Sequence, residues 1–483
     1  MNGENGLKEK TIKGIGWSAI DSFVGNGITF LVGLVLARLL SPTEYGLIGI
    51  VTIFITVFNA IIDSGFSSAV VRKKNVSNDD LNTMFITNLI LSVVMFLILF
   101  FAAPAIAHFF ARPELVSLTR VMDVVLIINA LSITQNTVLT KRIDFKTKTK
   151  ASIISALFSG AIGIGMAVAD MGVWALVGQQ ISKQLINTFL LWIFNKWWPS
   201  FKFSIHSFRY MWGFGWKILV SGLIDNVWNE LYQVVVGKCY SPATLGQYSK
   251  SKEYANIFSI SINSIVGRVT YPVLAEIQDD KERLISAYRR IIKTTMFITV
   301  VCLISMGAVS EPLIYCLIGP QWKMAATFLP LICLNRSLYP LHSINLNMLK
   351  VQGRSDLFLG LEIIKKIIGI APICLGIFID IYWMLVGSLV TGVVSFFLNS
   401  YFSGKMLGYS SWKQLRDIAP SYCLALTIAL FVYFLKYLPL SYWVILPLQI
   451  VVGIIVFFAF CNFTKMQEYE EVKGLVIHMI KRV

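Results

Sequence analysis

An all-α polytopic membrane protein is predicted, with two similar six-helix lobes and two further C-terminal helices. Three features of the 483-residue sequence lead there: its composition, the spacing of its apolar runs, and an internal repeat. Hydrophobic residues make up 56% of the chain and charged residues only 14%, and mean hydropathy is +0.70. A soluble domain carries about 25% charged residues. A spanning helix needs about 20 apolar residues, and on that rule about fourteen helices fit. The repeat has a spacing of about 200 residues. Gly14-Ile15-Gly16-Trp17 returns as Gly213-Phe214-Gly215-Trp216, and Ser41-Pro42-Thr43-Glu44-Tyr45-Gly46 as Ser241-Pro242-Ala243-Thr244-Leu245-Gly246. Asp63-Ser64 is met at the same offset by Asn263-Ser264.

In chain order, the helices are expected over 15–38, 45–70, 82–110, 118–139, 150–169 and 172–195 in the first lobe. Those of the second lobe are expected over 210–236, 244–270, 291–317, 325–349, 357–379 and 381–403. The last two cover 415–437 and 441–464. The domains are accordingly 1–203, 204–405 and 406–483. The first dozen residues are polar and lysine-bearing, so the first apolar run is expected to be a retained membrane helix rather than a cleaved signal.

The net charge of +16 is distributed as short basic tracts between apolar runs. That is the pattern of cytoplasmic loops and not of a nucleic-acid-binding surface. With the N-terminus inside, the inner segments collect Lys8, Lys10 and Lys13, then Arg72, Lys73 and Lys74, then Lys141 to Lys150 and the basic residues of 265–293. Both termini are expected inside. Six helices per lobe is an even number, so both lobes enter the membrane in the same direction, as in parallel-repeat transporters. Between the lobes, 273–290 sets Leu274, Ile277, Leu284, Ile285 and Tyr288 on one side and charges on the other. It is expected to be an amphipathic segment on the inner face.

Catalytic and metal chemistry find little support. The cysteines lie almost wholly inside apolar runs and form no CxxC pair, which suits buried small apolar residues. The four histidines are scattered without metal-ligand spacing, so no metal site and no cofactor are expected. No GxxxxGK[ST] phosphate loop is present.

Ionisable residues inside apolar runs each need a reason. Local pairing is available to Glu362 with Lys365 and Lys366, to Arg120 with Asp123, and to Lys250 with Glu253. Lys217 and Lys250 lie near helix ends and could snorkel. Arg336 and Lys183 fall near the middle of their helices without an acid three or four residues away, and Asp225 and Glu230 lack a local basic partner. Two readings stay open for these four: interhelical pairing, or a cavity in which the cations hold an anionic group and an acid binds a coupling ion. The candidate cavity cations are Arg336, Lys183, Lys217, Lys250 and Lys366, and the candidate coupling or gating acids are Asp63, Asp225 and Glu230. Asn59, Asp63 and Ser67 form a polar stripe, with Asn263 in the matching place of the second lobe. Such a stripe suits either a wet cavity that meets a polar ligand or hydrogen bonding between helices. Trp212, Trp216 and Trp228 could stack on a bound ligand, or anchor the interface like most of the tryptophans. Proline and glycine, as at Gly14, Gly16, Gly33, Pro330, Pro340 and Pro372, allow either close packing or bendable helices.

The stretch Ala37-Arg38-Leu39-Leu40-Ser41-Pro42-Thr43-Glu44-Tyr45-Gly46 resembles the first outer turn of polysaccharide-export flippases. These belong to the multidrug/oligosaccharidyl-lipid/polysaccharide exporter superfamily. Tyr240 to Tyr248 is similar to that family's second-lobe echo, and Pro272-Val273-Leu274-Ala275 with Asp279-Asp280 and Tyr288-Arg289 to its interlobe segment. Leu139 to Phe145, with Gly172 to Val177, resembles the branch handling exopolysaccharide and lipopolysaccharide repeat units, including the colanic-acid type. The resemblance implies two six-helix bundles around a central cavity in a bacterial inner membrane. It implies as substrate a lipid-linked oligosaccharide, usually on undecaprenyl pyrophosphate, flipped to the outer leaflet, and a polysaccharide polymerase as a further partner. Two competing functions remain. An ion-coupled multidrug exporter on the same scaffold would favour acids over cations in its cavity. A membrane-embedded glycan-modifying enzyme would need acids or a histidine near a sizeable loop, and His342 has no acidic neighbour in sequence.

Overall fold

The computed structural model describes Trp17, residues 24–200 and residues 202–480. The Gly14–Gly16 half of the first repeat motif, most of 15–23 and Lys8, Lys10 and Lys13 lie outside the described residues. Among the described residues every regular element is a helix. The first nine are α1 (Asn26–Leu39), α2 (Pro42–Asp63), α3 (Phe66–Arg72), α4 (Asn78–Phe110), α5 (Leu115–Met122), α6 (Val124–Lys141), α7 (Phe145–Val168), α8 (Val173–Asn195) and α9 (Ile205–Cys239). Then follow α10 (Pro242–Glu276), α11 (Lys281–Ala308), α12 (Ser310–Leu317), α13 (Lys323–Ser337), α14 (Tyr339–Val351), α15 (Ser355–Ile368) and α16 (Ile370–Phe378). The chain closes with α17 (Ile381–Leu407), α18 (Ser411–Phe434), α19 (Tyr442–Thr464) and α20 (Gln467–Ile480).

Over its described residues, every expected span falls on one of these helices or on two in series. Eight of the described helical stretches are long and apolar enough to cross a membrane by length and composition. The chain is therefore a multi-pass membrane protein.

The helices in series have local causes. Proline lacks the N–H that bonds four residues back, and Pro312, Pro340 and Pro372 each lie shortly after a break, at Val309, Leu338 and Gly369. Pro330 behaves differently. It stays inside α13, where a Cβ on Gly307 would meet its Cα at 3.2 Å. So Pro340 and Pro372 mark interruptions, while Pro330 marks close packing. Between α2 and α3, Ser64 (φ 51°) and Gly65 (φ 67°) are both left-handed, which ends the helix directly after Asp63.

The repeated turn is a helix start in both copies. Ser41 caps α2 with Pro42 at the first position, in a capping box where the Ser41 N–H donates to Glu44 Oε2 at 2.6 Å. Ser241 Oγ likewise accepts the Thr244 N–H at 3.2 Å ahead of α10. The two turns meet at their backbones. A Cβ on Gly46 would lie 1.7 Å from the Pro242 carbonyl oxygen, and one on Gly246 would lie 1.9 Å from that of Pro42.

By internal contacts the chain divides into two compact units, 1–246 and 247–483. This division falls later than the lobe boundary at 203/204 read from the repeat, because α9 packs on α2, α3 and α4. In the first unit, Phe66, Met84, Phe85, Val138, Trp197 and Met211 form a core joining α3, α4, α6 and α9.

In the second unit, 273–290 is not a separate surface helix. It is the end of α10, a short turn and the start of α11. Leu274, Leu284 and Tyr288 are buried with Met348, Phe396 and Ile418, so the apolar stripe faces a protein core instead of a membrane surface. The charged stripe is also used. Arg289 forks onto Asp417 of α18 at 2.5 and 2.6 Å, Lys293 reaches Glu468 of α20 at 2.6 Å, and Arg290 reaches Glu471 at 3.1 Å.

Candidate functional site

The break after Asp63 and a polar stripe on α6 together make a cavity in the first unit. It has a volume of about 640 Å³. One wall is Asp63, Ser67, Ser68 and Arg72, from the end of α2 and from α3. The other is Asn129, Ser132, Asn136, Thr137 and Thr140, which recur every three or four residues along one face of α6. The two walls are bonded to each other. Ser67 Oγ donates to Asp63 Oδ1 at 2.5 Å and receives the Thr137 hydroxyl at 3.1 Å. Asn129 Nδ2 donates to Asn59 Oδ1 at 2.7 Å, and Gln184 Nε2 of α8 donates to Asn129 Oδ1 at 2.9 Å. Lys148 Nζ donates to the Thr140 hydroxyl at 3.1 Å, near the end where Arg72 lies with its guanidinium 4.7 Å from the Phe214 ring. Hydroxyls and amides along the length, one carboxylate, and basic groups at one end are the donors and acceptors that a sugar phosphate needs.

The expected stripe of Asn59, Asp63 and Ser67 is split by the break, with Asn59 and Asp63 on α2 and Ser67 on α3. Of these, Asp63 and Ser67 line the cavity and Asn59 braces Asn129 from behind. Asn263 is on α10, but its side chain lies outside the described residues. Lys183 is half-buried on α8 and donates to Thr29 Oγ1 of α1 at 3.3 Å. Glu230 accepts from Gln233 Nε2, one turn along α9. Lys217 and Asp225 are exposed on the same helix. Arg336, Lys250 and Lys366 belong to the second unit. Arg336 stands 5.7 Å from the Tyr339 ring, and no carboxylate pairs with it among the described residues. Lys250 is 4% exposed and pairs with Glu253 at 2.8 Å. Lys365 pairs with Glu362, at 2.5 Å.

One expected pair is not formed. The Arg120 guanidinium lies 4.5 Å from the Phe100 ring and its Nε donates to the Phe100 carbonyl at 3.4 Å. Asp123 keeps no partner for either oxygen. The aromatic face of α4 competes for the arginine, and spacing along α5 does not reveal this.

Arg72 reads in the sequence as an ordinary inner-loop charge, and only the fold brings it and the α6 stripe to the cavity wall. The signal for the stripe was its three-to-four spacing of amides and hydroxyls in an otherwise apolar helix.

Membrane-spanning helices with a polar cavity between α3 and α6 fit a transporter. The chain belongs to the polysaccharide biosynthesis protein family, whose model matches residues 35–327. Among its relatives is the succinoglycan biosynthesis transport protein ExoT of Rhizobium meliloti, 24% identical over 85% of this chain and 81% of ExoT. Another is the lipopolysaccharide biosynthesis protein WzxC of Escherichia coli, 23% identical over 84% of each. The teichuronic acid biosynthesis protein TuaB of Bacillus subtilis is 24% identical over 73% of each. The fold matches the lipid II flippase MurJ in an inward closed conformation, with a TM-score of 0.72 at 15% identity over 93% of this chain and 98% of MurJ. It also matches an inward-facing multidrug transporter of the MATE family, with a TM-score of 0.63 at 16% identity over 82% and 99%. The likeness to the exporter superfamily read from the Ser-Pro turns therefore holds at the level of fold.

Proposed function

We propose that this chain is a flippase that carries a lipid-linked oligosaccharide repeat unit across a bacterial inner membrane, for surface polysaccharide synthesis. Family membership supports the substrate class, as do the relatives named for succinoglycan transport and for lipopolysaccharide and teichuronic acid biosynthesis. The observation that carries the reading is the hydroxyl- and amide-lined cavity with basic groups at one end. Sugar hydroxyls would exchange hydrogen bonds with Asn129, Ser132, Asn136 and Thr137. Arg72 and Lys148 would meet the phosphates, which the family resemblance attaches to undecaprenol. Both termini and the Arg72 end face the cytoplasm in this reading, so the headgroup is captured from the inner leaflet. A polymerase on the far side would receive the product.

A multidrug exporter on the same scaffold has one supporting observation, Asp63 in the cavity wall. Its carboxylate already accepts from Ser67, however, and Arg72 in the same wall opposes an organic cation.

The test is export in cells whose only copy is altered. Arg72→Gln is expected to leave protein abundance unchanged and to stop surface polysaccharide while the lipid-linked precursor accumulates. Arg72→Lys is expected to restore export in part, because a point charge cannot reproduce the planar fork. Normal export by a well-expressed Arg72→Gln variant overturns the placement of the phosphates. Drug efflux without precursor accumulation in a deletion strain overturns the substrate class.

A further inference from the structure

Asp123 is the acid that the cavity does not use. It lies where α5 gives way to α6, fully buried, and neither of its oxygens has a hydrogen-bond partner. The hydroxyl of Thr119, one helical turn earlier on the same face, is also fully buried and unpartnered. No proline or glycine stands at this break, unlike the other interruptions. Leu126 N–H instead reaches the Asp123 carbonyl at 2.9 Å, a tightened turn centred on the acid.

Among the described residues, the packed neighbours supply no countercharge. On the same chain segment, Arg120 is turned to Phe100, and Glu114 and Lys141 lie at the ends. On α2, Glu44 is held in its capping box and Asp63 by Ser67; Tyr45 is directed to the Gly33 carbonyl. On α4, Asp80 pairs with Lys73 at 2.7 Å, Asp79 adjoins it at that end, and His108 lies in the last turn. On α8, Lys183 donates to Thr29. None of these is a hydrogen-bond partner of Asp123.

An isolated carboxylate in such a place is strongly disfavoured, so the group must be neutralised by a proton or by a bound cation. A hard metal cation takes about six oxygens. Among the described residues, the buried side-chain oxygens without partners here are the two of the carboxylate and the Thr119 hydroxyl. A proton needs one oxygen.

We propose that Asp123 is a proton-binding carboxyl that couples transport by this chain to a proton gradient; the coupling, though not the proton site, rests on the flippase reading. A proton from water on one side adds to a carboxylate oxygen, forming an O–H bond. That bond breaks when the proton leaves to the other side, and no electron changes hands. The acid lies about 12 Å along the helix from Leu115 and about 9 Å from the cavity residue Asn129. When it loses its proton, Arg120, one turn earlier on the chain, can swing to it, because its bond to the Phe100 carbonyl is long at 3.4 Å. Neutral Asp123 with Arg120 on Phe100, and charged Asp123 with Arg120 drawn to it, are then two arrangements of the same turn. That turn leads directly into the α6 stripe.

The experiment uses the purified full chain in lipid vesicles. Infrared spectra of the wild type are expected to show the carbonyl band of a protonated acid that shifts in heavy water. Asp123→Asn should remove this band and Asp123→Glu should shift it. Movement of a fluorescent lipid-linked oligosaccharide is then followed under an imposed pH gradient, a sodium gradient, or a potential alone. The response to the pH gradient is expected to be lost in Asp123→Asn, and the response to potential to remain. No acid band attributable to Asp123, a pH response intact in Asp123→Asn, or a response to sodium in place of protons each overturns the proposal. If the wild type moves no lipid-linked oligosaccharide under any gradient, the flippase reading fails while the band still reports on Asp123. Should Asp123→Asn fail to fold, the Asp123→Glu shift and the wild-type spectrum decide.

Discussion

At the scale of single residues, Arg336 and Asp417 are opposite cases. Arg336 has an aromatic ring beside it and, among the described residues, no carboxylate partner. Removing its charge therefore orphans no acid. Arg336→Gln is expected to lower stability by no more than about 1 kcal/mol, the scale of one exposed cation–π contact. If Arg336 serves the substrate, export falls in that variant and recovers only partly in Arg336→Lys; thermal unfolding and polysaccharide yield measured together separate the two roles. Asp417 is nearly buried, with a side chain 7% exposed, and receives both the Arg289 fork and the Tyr409 hydroxyl at 2.7 Å. Asp417→Ala should lower the unfolding free energy by roughly 1.5–3 kcal/mol, since the charge-assisted bonds are lost while Arg289 remains partly hydrated. The first residue was legible as unusual because nothing local could pair with it. The second was not, because its partner lies 128 residues away. Spacing along a helix states which neighbours are available and leaves open which one wins. Glu362 took Lys365, as spacing allows, yet Arg120 declined Asp123 for an aromatic ring on another helix.

At the scale of elements, two backbone contacts hold the α2–α3 stretch to α9 and its following turn. In the first, the turns 41–46 and 241–246 meet through Gly46 and Gly246. In the second, a Cβ on Gly215 would lie 2.7 Å from the Ser64 carbonyl oxygen, and one on Gly65 would lie 2.6 Å from that of Gly215. Backbone atoms cannot move aside as a flexible side chain can, so alanine at either site forces the elements apart. Gly215→Ala should cost about 1–3 kcal/mol, typical of overpacking a close contact. Gly65→Ala should cost more, since its φ of 67° adds left-handed strain. Gly213→Ala, with nothing within 4 Å of the added Cβ, is the control and should be close to neutral in thermal unfolding. For Gly46→Ala the expected readout is separation of the turns. Ser41→Cys and Ser241→Cys, in a background without native cysteines, should label faster with an aqueous thiol reagent when Gly46→Ala is present. Unchanged labelling in a stably folded variant would show that the two turns do not hold each other. The repeat drew attention to these glycines, but only the folded chain shows that the copies touch. Nor could the sequence separate Pro330, packed within its helix, from Pro340, which follows a break.

At the scale of the whole molecule, hydropathy placed the helices well and their ends poorly. α9 and α10 extend beyond the apolar runs that located them, since a helix that leaves the apolar layer continues while its backbone remains bonded. Hydropathy also passes only eight described stretches as clear spans, because helices such as α8 and α10 carry amides, hydroxyls and lysines. The direction of those spans is the remaining global property, and the repeat makes it testable. The Gly46 and Gly246 contacts place the turns 41–46 and 241–246 side by side, so both must lie on one face of the membrane. From these turns, α2 with α3 runs to Arg72, and α10 runs to Glu276, each about long enough to cross. The basic residues at 72–74 and in 281–293 follow those crossings, and positive loops stay in the cytoplasm. Tags at 41 and 241 should therefore both be reached by an impermeant reagent added outside. Tags at 74 and 281 should be reached only after the membrane is opened. Labelling of 41 and 241 from opposite sides would break the parallel relation of the two repeats. Labelling of both from the inside would keep that relation and reverse the protein, and it would place Arg72 and Lys148 on the wrong side to take a phosphate from the cytoplasmic leaflet.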